Sequence, residues 1–462
     1  MGATKQMVAY CYRVGYPDFP SEVVDMVKYL ALDFIGVAAR GSLVESTKAM
    51  YGFLEDMDLR PKLGVIIGTP MKAPHQYAAL ANGTSAHSLE LDDVVNEASL
   101  HPGVAVFPAT LAACEMVDAD GKRFIEGAVL GYEVMIRLGK ALNPTAHYSQ
   151  GFHPTGTCGA FGAAIAASKI LGLDERAMLN AMGIVGSQTA GSMEFLAEGA
   201  WTKRMHPGWA AHNGIIAALL ARKGFRGPST ILEGRDGFLR AYSPSSDVHH
   251  LTDGLGDSFR IMRTSIKPHA CCRYKQAPID GILSIMKKNG LKATDVEQVS
   301  LGILKTAFPI IVEPEETKYN PKSVVDAQFS MPFGAAVSAL YGKAFLQEYT
   351  LEKVRSREIR EFMSKIKCVG DPELDKEFPG KWPASVRIRT KDGREYFSRI
   401  DYPKGDPENP LSWEELIEKF KNLAEPVFRK GKQDEIIDKT RSLEHERSMR
   451  SFSSIMRASR SR

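Results

Sequence analysis

No C-x-x-C spacing occurs among the six cysteines, Cys11, Cys114, Cys158, Cys271, Cys272 and Cys368. That argues against a zinc ribbon or an iron–sulfur site and points to free thiols in a reducing compartment. Neither G-x-x-x-x-G-K-[ST] nor a strand-borne G-x-G-x-x-G occurs, so ATP and NAD chemistry are not expected. No charge-free apolar run reaches eighteen residues, and no membrane span is expected. The opening MGATKQMVAY lacks the apolar core of a signal peptide, and Gln6 stands where a myristoylated chain prefers Ser or Thr. A cytoplasmic protein is expected. An excess of one charge sign is also missing from the body of the chain. The formal charge is +4, but five arginines (Arg447, Arg450, Arg457, Arg460 and Arg462) fall in the last sixteen residues, which hold no acid. Without those five the remainder carries −1, so nucleic acid is not an expected partner.

What is present is ordinary for a soluble globular protein: 462 residues, enough for two domains, with 44% hydrophobic and 25% charged. From Pro20 to about Arg240 the pattern is helical. Ser21 is placed to cap a helix whose Val23, Val27, Leu30, Phe34 and Val37 recur at spacings of three and four. Phe124, Ala128, Gly131, Met135 and Leu138 repeat the rhythm. The Gly- and Ala-rich run 156–173 suits closely packed helices, and a helix over about 209–223 stops at Gly224, a C′ residue. After about Ser265 the texture changes. VEQVSLGILK (296–305) and SVRIRTKDGREYFSRIDYP (385–403) read as strands, the second as a hairpin about Lys391-Asp392-Gly393, with helical segments at 282–290 and 333–342. Helical pattern returns from about Leu411. The fold class is mostly α, a large helical domain with a smaller α+β domain.

Four polar stretches carry candidate chemistry. NGTSAHSLELDDVVNEASLHPGVAVFP (82–108) crowds His87, Glu90, Asp92, Asp93, Glu97 and His101 between two apolar runs. It reads either as a polar turn between helices or as an acid/base cluster at a pocket mouth, with His101 held before Pro102-Gly103. His153, in GFHPTG (151–156), precedes the small-residue helix, whose first N–H groups suit a carboxylate, or else simply forms the turn. Lys203, Arg204 and His206 stand ahead of another helix, in a grouping suited to a multiply charged anion. Lys267 and His269 lie in SIKPHACCR (265–273), at the texture boundary where pockets favour domain junctions. Cys271 and Cys272 read first as small buried hydrophobes. The set offers histidines for proton transfer and cations for carboxylates, without metal-ligand spacing. It fits proton abstraction beside a carboxylate, followed by elimination or decarboxylation.

Taken together, NGTSAHSLELDDVVNEASLHPG, GFHPTGTCGAFGAA, WTKRMHPGWAAHNG, SIKPHACCR and NPKSVVDAQFSMPFGAAVSAL resemble the MmgE/PrpD family over about residues 5 to 445. That family includes 2-methylcitrate dehydratase, cis-aconitate decarboxylase and iminodisuccinate epimerase. The resemblance implies a discontinuous helical domain (1–265 and 405–450), an α+β lid (266–404) and a metal-free, cofactor-independent site in the cleft between them. It also implies a homodimer. Residues 451–462 are expected to be a basic, disordered tail. His101 and His153 match histidines at the reacting carbons, and Asp93 matches an acid that orients them. Lys203 and Lys267 match lysines that hold substrate carboxylates, with Arg204 and His269 beside them. For the lid tyrosine of the family decarboxylase, Tyr319 is the nearest candidate. The chain departs from that decarboxylase in having Val94-Val95 where it has a threonine shortly after the acidic pair. The leading expectation is therefore a hydro-lyase acting on a small di- or tricarboxylate such as 2-methylcitrate. A decarboxylase or epimerase is the alternative, and a non-catalytic carboxylate binder lies outside the enzymes.

Overall fold

In the computed structural model, which describes residues 2–458, the first long helix is α1 (Ser21–Gly41). It buries Val23, Val27, Leu30, Phe34 and Val37, as their spacing requires. Ser21 is its first helical residue and not its cap; Pro20 occupies the N-cap position without a side-chain hydrogen bond. The helical half continues with α2 (His75–His87), α3 (Gly103–Val117), α4 (Gly121–Ala141), α5 (Pro154–Ile170), α6 (Glu175–Val185) and α7 (Thr202–Arg222). Asp120 caps α4 by accepting the N–H of Arg123 at 2.9 Å. Helix α7 lies against α5, α2, α6 and α3 at the centre of the bundle.

Small residues set these distances. A Cβ on Gly83 of α2 would lie 2.6 Å from Gly208 Cα in α7, and one on Gly162 of α5 would lie 2.7 Å from the Gly131 carbonyl of α4. At the end of α7, Gly224 takes φ +85, and Phe225 N–H reaches the Leu220 carbonyl at 3.1 Å. That is the closing turn its position suggested.

Small strand pairs interrupt the helical half. Strand β1 (Val94–Val95) runs antiparallel to β2 (Thr264–Ser265), pairing Val94 with Ser265 and Val95 with Thr264. The pairing is short, yet it fixes the acidic loop beside the segment that carries Lys267.

The lid holds α8 (Gln276–Lys288), β3 (Val296–Ile303), α9 (Met331–Tyr341), β4 (Ile366–Gly370), β5 (Ala384–Thr390) and β6 (Glu395–Ile400). The strand order is β4-β3-β5-β6, with β3 parallel to β4 and antiparallel to β5. Ala384, Val386, Ile388 and Thr390 alternate inward along β5, and α8 covers β5 and β6. Gly393 takes φ +85 in the hairpin turn, a conformation glycine adopts without a Cβ clash. The molecule is 59% helix with only small sheets: mostly α, with a smaller α+β domain.

Helices α10 (Trp413–Ala424) and α11 (Lys430–Arg441) return to pack on α1. Ser412 and Glu415 cap α10 reciprocally, at 3.2 and 2.7 Å. The expectation of a disordered end at 451–462 fails as far as residue 458. Helix α12 (Met449–Ser454) is capped by Ser448, Phe452 and Met456 are buried, and the Met456 carbonyl accepts Gly68 N–H at 2.9 Å. Polar contacts hold the same segment: Arg450 donates to the Glu115 carbonyl at 2.6 Å, Ser453 Oγ to the Glu115 carboxyl at 2.6 Å and Arg457 to the Pro70 carbonyl at 2.7 Å. Residues 459–462 of that tail lie outside the described residues. Among the described residues, no helix is long and apolar enough to cross a membrane.

Candidate active site

A cleft with about 470 Å³ of atom-free space lies where the two domains meet. Glu90, His101, Tyr148, His153 and Lys203 line it from the helical domain, and Cys272, Arg273, Tyr274, Ile310 and Trp382 line it from the lid side. A second space of about 810 Å³ shares Ser99, Tyr148, Met193, Tyr274 and Ile310 with it. Domain junctions are favoured places for such pockets.

His101 is held from three directions. Ser99, at φ +49, turns the chain after β1, and the His101 N–H donates to Thr155 Oγ1 at 3.2 Å. His101 Nδ1 lies 2.6 Å from the Asp93 main-chain carbonyl. A carbonyl only accepts, so Nδ1 carries the hydrogen and Nε2 is left with the free lone pair. Burial pulls the ring down to about 4, against the opposing pull of Asp92, whose Oδ2 lies 3.2 Å from Nδ1. His101 is therefore neutral at pH 7.

His153 sits at the N-cap of α5, its N–H on the Gly191 carbonyl at 2.9 Å. Its Nδ1 lies 3.1 Å from His206 Nδ1. Burial, then His206 and Lys203, keep it well below the usual histidine range. His87, the last residue of α2, donates Nδ1–H to Asp92 Oδ2 at 2.8 Å and stacks on His153, with ring centroids 5.6 Å apart.

The charges around these rings are paired. Burial works against ionisation of Asp92, but His87 and Lys267, whose Nζ is 3.5 Å from Oδ1, hold its carboxyl well below the usual range. Glu90 forms a buried ion pair with Lys203; burial again opposes ionisation, but Lys203, Lys267 and His87 together outweigh it and bring Glu90 to about 2. The Lys203 ammonium also lies over the Phe329 ring at 4.9 Å. Arg273 pairs with Asp406, donates to Asn96 Oδ1 at 2.9 Å and faces Trp382. Behind Lys267 a further buried pair, Lys419 and Asp33 at 2.6 Å, ties α10 to α1.

The donor atoms of His87, Asp92 and His101 all lie within 4.8 Å of one another, a grouping able to hold a cation that linear spacing did not reveal. Both Nδ1 atoms face Asp92, His101 Nδ1–H is committed to the Asp93 carbonyl, and Lys267 supplies positive charge at the same carboxylate. The set reads as a hydrogen-bonded network around one anion.

A family model described as the MmgE/PrpD N-terminal domain matches residues 5–251, and one described as the MmgE/PrpD C-terminal domain matches residues 269–445. The chain belongs to the MmgE/PrpD family. Among its relatives are cis-aconitate decarboxylase of Aspergillus terreus, 28% identical over 458 residues (95% of this chain and 92% of that protein), and cis-aconitate decarboxylase of Mus musculus, 26% identical over 434 residues (91% and 86%). Family membership and these relatives support a lyase-type enzyme.

Of the residues singled out through the MmgE/PrpD resemblance, His101, His153 and Lys203 line the cleft. Lys267 stands behind it, fully buried against Asp92. Asp93 is placed otherwise than expected: its carboxyl turns away from the rings to accept Tyr132 O–H at 2.6 Å and Gly103 N–H at 3.0 Å, and burial raises it to about 7. The acid among the histidines is Asp92, at a bend before β1, with Oδ2 2.8 Å from His87 Nδ1 and 3.2 Å from His101 Nδ1. Arg204 points to Ser46 at 2.9 Å, His269 to Asp280 at 2.8 Å, and Tyr319 to the Ile366 carbonyl at 2.8 Å; none of the three lines the cleft. Glu90 was named only as one acid of the 82–108 cluster, and Arg273, Tyr148 and Tyr274 were not singled out. The only available signal was that Glu90 and Arg273 lie inside motifs already chosen.

Proposed function

We propose that this protein is a decarboxylase of a small unsaturated tricarboxylate of the cis-aconitate type. The observation that carries the reading is the placement of His101 and His153 in one cleft with Lys203 and Arg273. Support comes also from relatives whose names give that activity. Lys203 and Arg273 would bind carboxylates as third partners of their ion pairs. The bond from carbon to the leaving carboxylate breaks and its electron pair forms a new alkene. The old alkene then takes one proton at carbon, and carbon dioxide leaves. A bound polyanion favours imidazolium, so rings that are neutral in the free enzyme become acids once substrate is present. The same reading takes the protein as a homodimer, which sedimentation equilibrium tests.

A second reading, dehydration of a 2-methylcitrate-type hydroxy acid, is favoured by Val94, which lines the cleft and offers no hydroxyl there. His101 would then take the α-proton and His153 would protonate the departing hydroxyl. NMR in heavy water over a panel of polycarboxylates separates the readings. Carbon dioxide release from cis-aconitate, with one deuterium at carbon, is the expected result. An alkene from 2-methylcitrate without carbon dioxide replaces it with the dehydratase, exchange without net reaction with an epimerase, and binding without turnover with a carboxylate binder.

A further inference from the structure

His206 has no role in the reading above, yet it is the only described side chain hydrogen-bonded to the His153 ring. It sits one turn into α7, and the residue also lines a second pocket, with about 1030 Å³ of atom-free space open to solvent, formed with Gly191, Glu194, Glu198 and Trp209. The two histidines therefore join the cleft to a second pocket open to solvent. Packing beside the pair is tight: a Cβ on Gly156 would lie 2.5 Å from the Ala190 carbonyl and 3.1 Å from His206 Cβ.

A hydrogen bond between two Nδ1 atoms needs one donor and one acceptor, so the pair shares a single hydrogen. Each ring keeps its Nε2 as an outer atom, one on a ring lining the cleft and one on a ring lining the second pocket. The charged and titratable groups around the pair are Lys203 on α7, His87 on α2, His101, and Glu194 and Glu198 on the pocket wall.

We propose that His206 is a positioning residue that supplies the proton His153 delivers to substrate, drawing it from the second pocket. The proposal rests on the decarboxylase reading, because decarboxylation consumes one proton at carbon while substrate fills the cleft. His153 Nε2–H goes to the substrate carbon, the shared hydrogen passes from His206 Nδ1 to His153 Nδ1, and His206 Nε2 takes a proton from water. One proton enters and one leaves, so the pair ends the step with the charge it began with. After product leaves, His206 Nε2 returns its hydrogen to water in the second pocket, the shared hydrogen moves back to His206 Nδ1, and His153 Nε2 takes a hydrogen from water in the cleft, which restores the first arrangement. Burial of His206, with His87 and Lys203 nearby, pulls its ring to about 4 and keeps it neutral between transfers.

The test compares His206→Ala and His206→Asn with wild type, with and without added imidazole. A positioned proton-transfer group contributes roughly 10²–10⁴-fold, and a residue acting through one should contribute less, so each variant should lose about 10-fold in kcat with KM little changed. Imidazole should restore His206→Ala in proportion to its concentration and to its neutral fraction. A kcat equal to wild type in both variants overturns the proposal, as does a loss that imidazole leaves untouched. Should His206→Ala fail to fold, His206→Asn, which keeps a hydrogen bond to His153 but cannot relay, carries the comparison against wild type. Failure of the decarboxylase reading is separate, since wild type would then release no carbon dioxide. The pair is read independently by ¹⁵N NMR of the histidines: His206→Ala, which removes the partner, should change the protonation pattern of the His153 ring nitrogens, and an unchanged pattern overturns the pairing.

Discussion

The main-chain carbonyl of Asp93 accepts Nδ1–H of His101 at 2.6 Å, while the Asp93 carboxyl faces Tyr132 and Gly103. One residue thus fixes the tautomer of the reactive ring through its backbone and braces the start of α3 through its side chain. The carboxylate that answers charge on the ring belongs to its neighbour, Asp92.

Asp92 and Asp93 should therefore behave differently. Asp92→Asn removes the anion shared by His87, His101 and Lys267, and should lower kcat by roughly 10²–10⁴-fold. Asp93 is raised to about 7, and asparagine can keep one of its two contacts. Asp93→Asn should then cost less than about 10-fold, the size of one lost neutral hydrogen bond of about 1 kcal/mol. Steady-state kinetics of the two variants check this; the reverse order of effects would return the role to the Asp93 side chain.

Lys203 and Arg273 line the cleft and Arg204 does not. Charge-assisted contacts contribute about 1.5–3 kcal/mol each, so Lys203→Met or Arg273→Met should cost roughly 10- to 100-fold in kcat/KM. Arg204→Met should cost less than either. Equal losses in all three would mean that Arg204 reaches substrate by a rearrangement.

Anion binding should draw protons into the cleft. His101 is held at about 4 by burial, and His153 lies well below its ordinary value. Both are neutral at pH 7, and a polyanion beside them raises both. Binding of an unreactive saturated tricarboxylate at pH 6–7 should take up as much as about one proton. Calorimetry in two buffers of different ionisation enthalpy measures it, and proton release would contradict the sign. His101→Gln should reduce the uptake.

Activity should survive removal of metal. The carboxylate at the centre of the His87, Asp92 and His101 group already has Lys267 as its cation. Extended chelation followed by assay should leave kcat unchanged; loss that a divalent metal restores would assign the group to a cation instead.

Much of this was legible in the sequence because local periodicity encodes burial. The spacing of Val23 to Val37 yields α1, the alternation along β5 yields the lid hairpin, and the motifs around His101, His153 and Lys203 name the cleft's chemistry. Tertiary structure alone decided which neighbour of each pair does the work. Asp92 rather than Asp93 meets the histidines because β1 pairs with β2 from a segment 170 residues away and brings Lys267 to that side. Arg273 rather than Arg204 reaches the cleft because helix α7 directs Arg204 toward Ser46. The basic end is ordered because Phe452 and Met456 find an apolar surface built by distant helices. Such choices depend on packing between segments far apart in the chain, which no local pattern of residues records.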